Sequence, residues 1–290
     1  MRHGSPPKNA ARGFIVPIGG AERVENPVIL RRFVKLCGGS RGHIAVIPTA
    51  SSLDDIGDQY ASLFSGLGAG RISILPFKSR ADCESQRYLE VLDRVDGVFM
   101  TGGDQVRLAE MLSDTSAARR LCGRNMYGMH IAGTSAGASA MSSAMIAGGT
   151  SGATPRAGMV DLAIGLGLVS GFVIDQHFSQ RDRLGRLLTA VASIPFGAGI
   201  GLDEDTAAFI GPDDTLEVVG SGSVTIVDGS NLRNSPADLT RNGEPVGLTG
   251  VRLHILTEGN LYDLGNHTLL CSGLAPKSRS TAGSNAAALT

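Results

Sequence analysis

The chain has 290 residues, 42% of them hydrophobic, and a formal net charge of -1 at pH 7. This length allows one large domain with a proper core, or two small ones. The near-neutral charge gives no reason to expect a nucleic acid or an anionic membrane as a partner. No apolar run approaches the ~20 residues of a membrane helix, so we expect a soluble, cytoplasmic protein.

The four cysteines are widely spaced, without a C-x-x-C motif or a cluster of histidines. This spacing favours separate thiols in a reducing compartment over a disulfide framework or a zinc site. We therefore expect no metal site in this chain. The cysteines are Cys37, Cys83, Cys122 and Cys271.

The first half of the chain alternates predicted strands with predicted helices, after a polar leader over residues 1–12. Strands are predicted at Phe14–Ile18, His43–Thr49, Arg71–Leu75, Gly97–Thr101 and from His130. Helices are predicted after Asn26-Pro27, and over Asp54–Leu67, Asp82–Val95, Val106–Leu112 and Ser116–Met126. Apolar strands alternating with helices favour a parallel sheet that is covered on both faces. We predict an α/β three-layer sandwich with a mostly parallel central sheet, in a single domain over residues 13–275.

The alternation continues with a predicted strand at Phe172–His177 and a predicted helix at Asp182–Ala192. From Gly199 onward, short strands are separated by Gly, Pro and Asp turns. We predict that these C-terminal strands are antiparallel and extend the same sheet. Residues 276–290 are predicted to be a disordered tail.

The segment H-I-A-G-T-S-A-G-A-S-A-M contains a G-x-S-x-G turn between a predicted strand and a helix-favouring run. Small residues around the serine allow strand and helix to approach, which leaves the serine hydroxyl exposed on a strained corner. Ser135 is therefore a candidate nucleophile, and the amide of Ala136 a candidate oxyanion donor. The alternative is a Gly- and Ala-rich turn without chemistry.

Polar residues also follow the strand that ends at Thr101, in the run G-G-D-Q. Because the carboxyl ends of parallel strands meet at one edge, the amide of Gly103 could complete an oxyanion hole with Ala136. Gln105 could then orient a substrate. The alternative is an ordinary turn in which Asp104 caps the next helix.

The strand ending in Asp175-Gln176-His177 is followed by three spaced arginines, Arg181, Arg183 and Arg186. Arginines at a helix N-terminus oppose the helix dipole, so their clustering suggests recognition of carboxylates. A core histidine and a mixed-charge helix face are the alternatives.

Three consecutive acids follow the strand G-I-G-L and would repel one another unless one faced a positive partner. A serine nucleophile needs a base, and that base needs an acid to hold its tautomer. His177 is the candidate base and Glu204 the candidate orienting acid. The order Ser–His–Glu excludes the α/β-hydrolase arrangement but not the mechanism.

The motifs G-G-D-Q, G-T-S-A-G-A-S-A-M, D-Q-H-F-x-x-R-x-R-L-x-R-L and G-I-G-L-D-E-D-T-A resemble those of the cyanophycinases. These belong to the serine peptidase family that also contains aspartyl dipeptidase. The likeness runs from about Gly19 to Val227. It implies a fold like the class I glutamine amidotransferases, a homodimer and no cofactor. It also implies a serine-type exopeptidase that hydrolyses cyanophycin, a poly-aspartate with arginine on each side chain, to β-Asp-Arg dipeptides.

The resemblance also assigns roles by position. Ser135 corresponds to the nucleophile, His177 to the general base and Glu204 to its orienting acid. The implied substrate pocket comprises Gln105, Asp175, Gln176, Arg181, Arg183 and Arg186. In that pocket the arginines would hold substrate carboxylates, and Asp175 would meet the substrate guanidinium.

Two rival functions remain open from the sequence. The first is an α-aspartyl or isoaspartyl dipeptidase that uses the same chemistry. The second is a catalytically silent protein that binds acidic peptides. The three-arginine run and the chain length argue against the first, and the intact Ser/His/Glu set argues against the second.

Overall fold

A computed structural model describes residues 11–194, 197–232 and 241–272. The predicted leader lies outside this part of the chain except for Ala11 and Arg12, and the predicted tail lies wholly outside it. Both stay predictions, as does the single domain over residues 13–275.

Fifteen strands and seven helices form the described part of the chain. The strands are β1 Ile15–Ile18, β2 His43–Ile47, β3 Arg71–Ile74, β4 Gly97–Met100, β5 His130–Thr134, β6 Ala144–Gly149, β7 Val160–Ile164, β8 Phe172–Gln176, β9 Ala198–Leu202, β10 Thr206–Ile210, β11 Thr215–Gly220, β12 Ser223–Asp228, β13 Arg252–Thr257, β14 Leu261–Asp263 and β15 Thr268–Cys271. The helices are α1 Val28–Leu36, α2 Ile56–Gly66, α3 Gln86–Leu92, α4 Gln105–Leu112, α5 Ser116–Met126, α6 Ala136–Ser139 and α7 Leu184–Ser193. None of these seven helices is long and apolar enough to cross a membrane.

The largest sheet has nine strands in the order β15-β14-β11-β10-β1-β5-β4-β2-β3. The five strands from β1 to β3 pair in parallel, and the other four extend the sheet from β1 in antiparallel pairs. The predicted α/β architecture, with a parallel centre and antiparallel C-terminal strands, is confirmed. The β1–β5 pair aligns Ile18 with Thr134, so the ends of these two strands lie side by side.

A second sheet of four strands, in the order β13-β12-β9-β8, was not predicted. The expectation that every strand after Gly199 extends the main sheet was wrong for β9, β12 and β13. Strand β8 also lies in this second sheet, paired in parallel with β9. A short apolar strand carries no signal for its pairing partner, because partners are chosen by contacts distant in sequence.

Two apolar layers cover the opposite faces of the main sheet. One face carries Ile47, Met100 and Ile131, which share a cluster with Ile174 and Ile200 of the second sheet. The other face carries Val46, Phe99 and Ala132, which share a cluster with Phe33 of α1 and Phe64 of α2. Consecutive residues of a strand point to opposite faces, so the parallel strands are buried on both sides.

We expect Phe99→Ala to lower the free energy of unfolding by about 3–5 kcal/mol. The Phe99 ring is fully buried, and its centroid lies 4.7 Å from that of Tyr60 and 5.1 Å from that of Phe64. Urea unfolding measures the change. Leu53→Ala is the control because this loop side chain is 59% exposed, and we expect its effect to stay within about 0.5 kcal/mol. Equal losses from both substitutions would contradict the layer assignment.

Candidate active site

Ser135 occupies a sharp turn between β5 and α6. Its backbone has φ 52° and ψ -111°, a strained conformation for a residue with a side chain. The flanking glycines make this turn possible. A Cβ atom at Gly133 would lie 2.6 Å from the carbonyl oxygen of Gly137, and one at Gly137 would lie 2.4 Å from the carbonyl oxygen of Met100. The G-x-S-x-G spacing therefore allows the strained turn that the sequence predicted, and the serine on it is half-buried rather than exposed.

His177 approaches Ser135 from the second sheet, directly after the end of β8. Its Nε2 lies 3.0 Å from Oγ of Ser135, within hydrogen-bond distance. Its backbone has φ 47°, a second strained position. The backbone of Gly20 lies against the imidazole. A Cβ atom at this position would lie only 2.4 Å from Cε1 of His177, so there is no room for a side chain.

Glu204 lies in the loop after β9 and completes a continuous chain of hydrogen bonds. Its Oε1 lies 2.6 Å from Nδ1 of His177. The neighbouring acids point elsewhere: Asp203 accepts hydrogen bonds from Ser223, and Asp205 forms an ion pair with Arg23. The three acids are thus separated by their partners. Among the residues that the structure describes, no group of three or more His, Cys, Asp or Glu side chains could hold a metal ion.

The end of β1 anchors all three loops that carry these side chains. The amide of Ser135 donates to the carbonyl of Ile18 at 3.0 Å, and the amide of His177 donates to that of Gly19 at 2.9 Å. The amide of Asp205, next to Glu204, donates to the carbonyl of Gly20 at 2.8 Å. Three successive carbonyls therefore set the positions of the three loops relative to one another.

The surroundings of His177 favour the neutral imidazole. Burial lowers its pKa below the usual 6.5, the hydrogen bond to Glu204 raises it, and the charges of Arg181 and Arg183 lower it. The net shift is downward. A carboxylate can only accept, so Nδ1 carries the proton and Nε2 presents a lone pair to Ser135. This is the tautomer that a general base needs.

Gly102 and Gly103 pass close to the serine at the end of β4. A Cβ atom at Gly102 would lie 3.3 Å from Cβ of Ser135, whereas one at Gly103 would lie 2.1 Å from the carbonyl oxygen of Ala50. Across the described ranges, the amides of Gly103 and Ala136 donate no backbone hydrogen bond. Their use as an oxyanion hole stays a prediction, and Gly102 is a further neighbour that the sequence did not single out.

Gln105 and Asp104 have defined partners of their own. Asp104 caps α4 by accepting from the amides of Val106 at 2.8 Å and Arg107 at 3.2 Å. This capping was the alternative that the sequence left open. The Nε2 of Gln105 donates to the carbonyls of Ile146 and Ala147, so this side chain attaches α4 to β6. Its role toward a substrate stays a prediction.

The predicted substrate residues after β8 do not form one open pocket. Asp175 is fully buried. Its Oδ2 accepts a hydrogen bond from Nε of Arg186 at 2.6 Å, and its Oδ1 accepts one from Nη2 of the same arginine. Arg183 is also buried and contacts Asp175 and the backbone carbonyl of Gln176. Arg181 is exposed. Of the three arginines, it therefore offers the most accessible guanidinium.

The side chain of Gln176 links the buried charged residues to Ser135. Nη1 of Arg183 lies 3.1 Å from Oε1 of Gln176, and that oxygen lies 3.4 Å from Oγ of Ser135. Burial lowers the pKa of Arg183 to about 10, so its guanidinium stays charged at neutral pH. The assignment of these residues to catalysis or to substrate binding stays a prediction.

Two positioning residues escaped the sequence-based prediction. Gly20 shapes the space for the imidazole, and Oε1 of Gln180 accepts from the amide of Glu204 at 3.0 Å. The glycine turn after β1 is visible in the sequence, but its contact with His177 joins residues 157 positions apart. Nothing in the local pattern around Gln180 indicates its partner.

Known proteins match most of the chain. Residues 15–218 match Peptidase family S51. The chain is 42% identical over 263 residues to the cyanophycinase of Geminocystis herdmanii, covering 90% of this chain and 97% of that protein. It is 44% identical over 264 residues to the cyanophycinase of Trichormus variabilis, covering 90% and 89%. A peptidase structure from an acI-B1 actinobacterium matches with a TM-score of 0.65 and 21% identity, over 88% of this chain and 98% of that one, which concerns the fold alone.

We expect Gly20→Ala to slow the reaction of Ser135 with a fluorophosphonate probe at least about 100-fold, because the new methyl displaces the imidazole. Labelling rates followed by mass spectrometry measure this. Gly68→Ala is a matched control, since Gly68 has a similar φ of +88° but nothing within 4 Å of the added Cβ. Equal rates for the two variants would show that the imidazole tolerates displacement.

The same labelling rate should fall with acid as His177 becomes protonated and loses its lone pair. Since the pKa of His177 is lowered from 6.5, we expect the midpoint of this fall below pH 6.5. Glu204→Gln removes an influence that raises this pKa, so the midpoint should move further toward acid. The maximal rate should also drop, by up to about 10⁴-fold, through loss of the correct tautomer. A wild-type midpoint above 6.5 would contradict the assignment.

Proposed function

Because the chain belongs to peptidase family S51, we propose that it is a serine exopeptidase that hydrolyses cyanophycin to β-Asp-Arg dipeptides. The observation that carries the proposal is the hydrogen-bonded chain from Ser135 through His177 to Glu204, with distances of 3.0 and 2.6 Å. The cyanophycinases named above support the choice of substrate, since they match about nine tenths of the chain.

In the proposed reaction, Oγ of Ser135 attacks the carbonyl carbon of an α-aspartyl peptide bond while Nε2 of His177 accepts the hydroxyl proton. The carbonyl oxygen becomes an oxyanion, for which the amides of Ala136 and Gly103 are the proposed donors. The C–N bond then breaks, and His177 gives its proton to the leaving amine. An acyl-enzyme on Ser135 remains.

Hydrolysis of this acyl-enzyme repeats the sequence with water as the nucleophile. His177 accepts a proton from the water, a second oxyanion forms, and the ester bond to Oγ breaks as the proton returns to Ser135. Glu204 stabilises the imidazolium that forms in each half and keeps Nε2 directed at Ser135. We propose no step that requires a metal or a cofactor.

We propose different roles for the charged residues after β8. Arg181 is exposed, so its guanidinium is the one we assign to a substrate carboxylate. Asp175 is fully buried against Arg186. Opening that pair would leave a buried charge without a partner. We therefore assign Asp175, Arg183 and Arg186 to positioning Gln176, and not to direct contact with the substrate.

We also propose a homodimer located in the cytoplasm. The outer face of β13 carries Leu253 and Ile255, which are 49% and 70% exposed and would be covered by a second copy. All four cysteines are free, which is compatible with a reducing compartment. Light scattering after size-exclusion chromatography would measure the mass of the assembly, and a monomer would contradict the proposed homodimer.

We expect wild-type protein to release β-Asp-Arg dipeptides from insoluble cyanophycin and Ser135→Ala to release none, because the variant lacks the attacking oxygen. Mass spectrometry of the soluble products measures the outcome. Ser143→Ala is the control. Among the described residues this hydroxyl donates one hydrogen bond, to the carbonyl of Val169 at 3.3 Å, and its loss should not affect turnover. Release by Ser135→Ala would remove Ser135 from the mechanism.

Two other outcomes would select the rival functions. Wild-type protein that leaves cyanophycin intact but cleaves α-aspartyl or isoaspartyl dipeptides would be a dipeptidase. Protein that cleaves neither and still binds acidic peptides would be a binding protein.

A further inference from the structure

A cavity of about 280 Å³ opens among residues that follow the carboxyl ends of β1 and β2, and none of Ser135, His177 and Glu204 lines it. Its walls come from the segment after β1 and from the first turns of α2. Leu30 and Leu63 line it and belong to the apolar layer of α1 and α2, on the opposite face of the sheet from the second sheet. The mechanism described above does not use this cavity.

Glu22 lines the cavity, and one of its carboxyl oxygens lies behind the cavity wall. Its Oε1 is shielded from solvent and has no hydrogen-bond partner among the residues described. The same holds for Oγ1 of Thr134, a residue that is only 3% exposed. The Thr134 hydroxyl lies close enough to lower the pKa of Glu22, although burial has the larger effect and raises it. The Glu22 carboxyl and the Thr134 hydroxyl thus lie close enough to interact, and Thr134 directly precedes Ser135.

The register of the sheet explains this proximity. Ile18 at the end of β1 pairs with Thr134 at the end of β5. Thr134 lies two residues after Ala132, so both point toward the α1 and α2 layer. In the segment after β1, Gly20 lies against His177, and two residues later Glu22 lies near the Thr134 side chain. The Glu22 carboxyl therefore lies beside Thr134, the residue before Ser135.

No described basic side chain neutralises this carboxylate. Glu22 takes part in none of the ion pairs of the described residues. Its neighbour Arg23 also lines the cavity, but its Nε pairs with Asp205, 3.2 Å from Oδ2. Asp205 adds further negative potential at Glu22. A carboxylate oxygen that is shielded from solvent and has no cationic partner is costly, and a cationic ligand would lower that cost.

The remaining walls suit one kind of cation. Val24, Ile56 and Leu63 are apolar, and Tyr60 offers an aromatic ring. The side chain of arginine combines an apolar stem of three methylenes with a planar guanidinium that donates to carboxylates and packs on aromatic rings. We propose that this cavity binds the arginine side chain of the substrate, with Glu22 accepting its guanidinium. This inference rests on the proposed function. It also supplies an acid for the role that the sequence had assigned to Asp175.

The test measures binding by isothermal titration calorimetry, in a Ser135→Ala background that prevents turnover. The probes are a trimer of β-Asp-Arg units and the same trimer with citrulline, which is isosteric but uncharged, in place of arginine. We expect Glu22→Gln to weaken binding of the arginine trimer about 10- to 100-fold, the loss for a charge-assisted hydrogen bond. Binding of the citrulline trimer should not change. Glu25→Gln removes an exposed charge three residues away and should affect neither probe.

Three outcomes would overturn the proposal. Equal weakening of both probes would make Glu22 a structural residue, and no weakening would place the guanidinium elsewhere. A Ser135→Ala protein that binds neither trimer would also exclude the cavity as the arginine site. Should Glu22→Gln fail to fold, Gln59→Lys introduces a competing cation from an exposed position that lines the same cavity. That variant should weaken the arginine trimer alone.

Cleavage of cyanophycin and binding of the two trimers distinguish failure of the proposed function from failure of the cavity assignment. If wild-type protein leaves cyanophycin intact while Glu22→Gln still selectively weakens the arginine trimer, the cavity is an arginine site in an enzyme of another substrate. If cyanophycin is cleaved and Glu22→Gln changes neither probe, the function stands and the cavity assignment is wrong.

Discussion

Three successive carbonyl groups at the end of β1 are the constraint on which the candidate site depends. Ile18, Gly19 and Gly20 accept hydrogen bonds from the loops that carry Ser135, His177 and Glu204. Those loops follow β5, β8 and β9, which lie in two different sheets. A serine, a base and an acid must meet within hydrogen-bond distance to act together. One shared backbone segment gives the three loops a common reference, so small movements between the sheets need not separate the three side chains.

This arrangement requires strained backbone and space for it. Ser135, His177 and Asp205 all have positive φ, at 52°, 47° and 49°, and each such residue costs about 1–3 kcal/mol. The anchoring hydrogen bonds and the glycines that permit close approach hold these conformations in place. Gly20 serves both purposes: its carbonyl anchors Asp205, and its missing side chain leaves room for the imidazole. The backbone strain is therefore found in the three loops that meet at the end of β1.

The charges around the serine divide into a set that is ion-paired internally and a set that is not. Asp175 and Arg186 form a buried ion pair. Arg183 donates a hydrogen bond to the side chain of Gln176. Arg181 and Glu22 have no such internal partner in the ion pairs of the described residues. A substrate that carries both a carboxylate and a guanidinium on each repeat needs one receptor of each sign. Separate locations for Arg181 and Glu22 would prevent the two receptors from neutralising each other.

The sequence by itself determined the alternation of apolar strands and helices, the glycine-flanked serine turn and the polar residues at successive strand ends. These depend on local patterns, and the structure brings Ser135, His177 and Glu204 together as that pattern predicted. Only the tertiary structure decided that β8, β9, β12 and β13 form a second sheet, that Asp175 is closed off by Arg186, and that Glu22 lies beside Thr134. Strand partners and the burial of a charge depend on contacts between residues far apart in the chain, which periodicity and spacing do not encode.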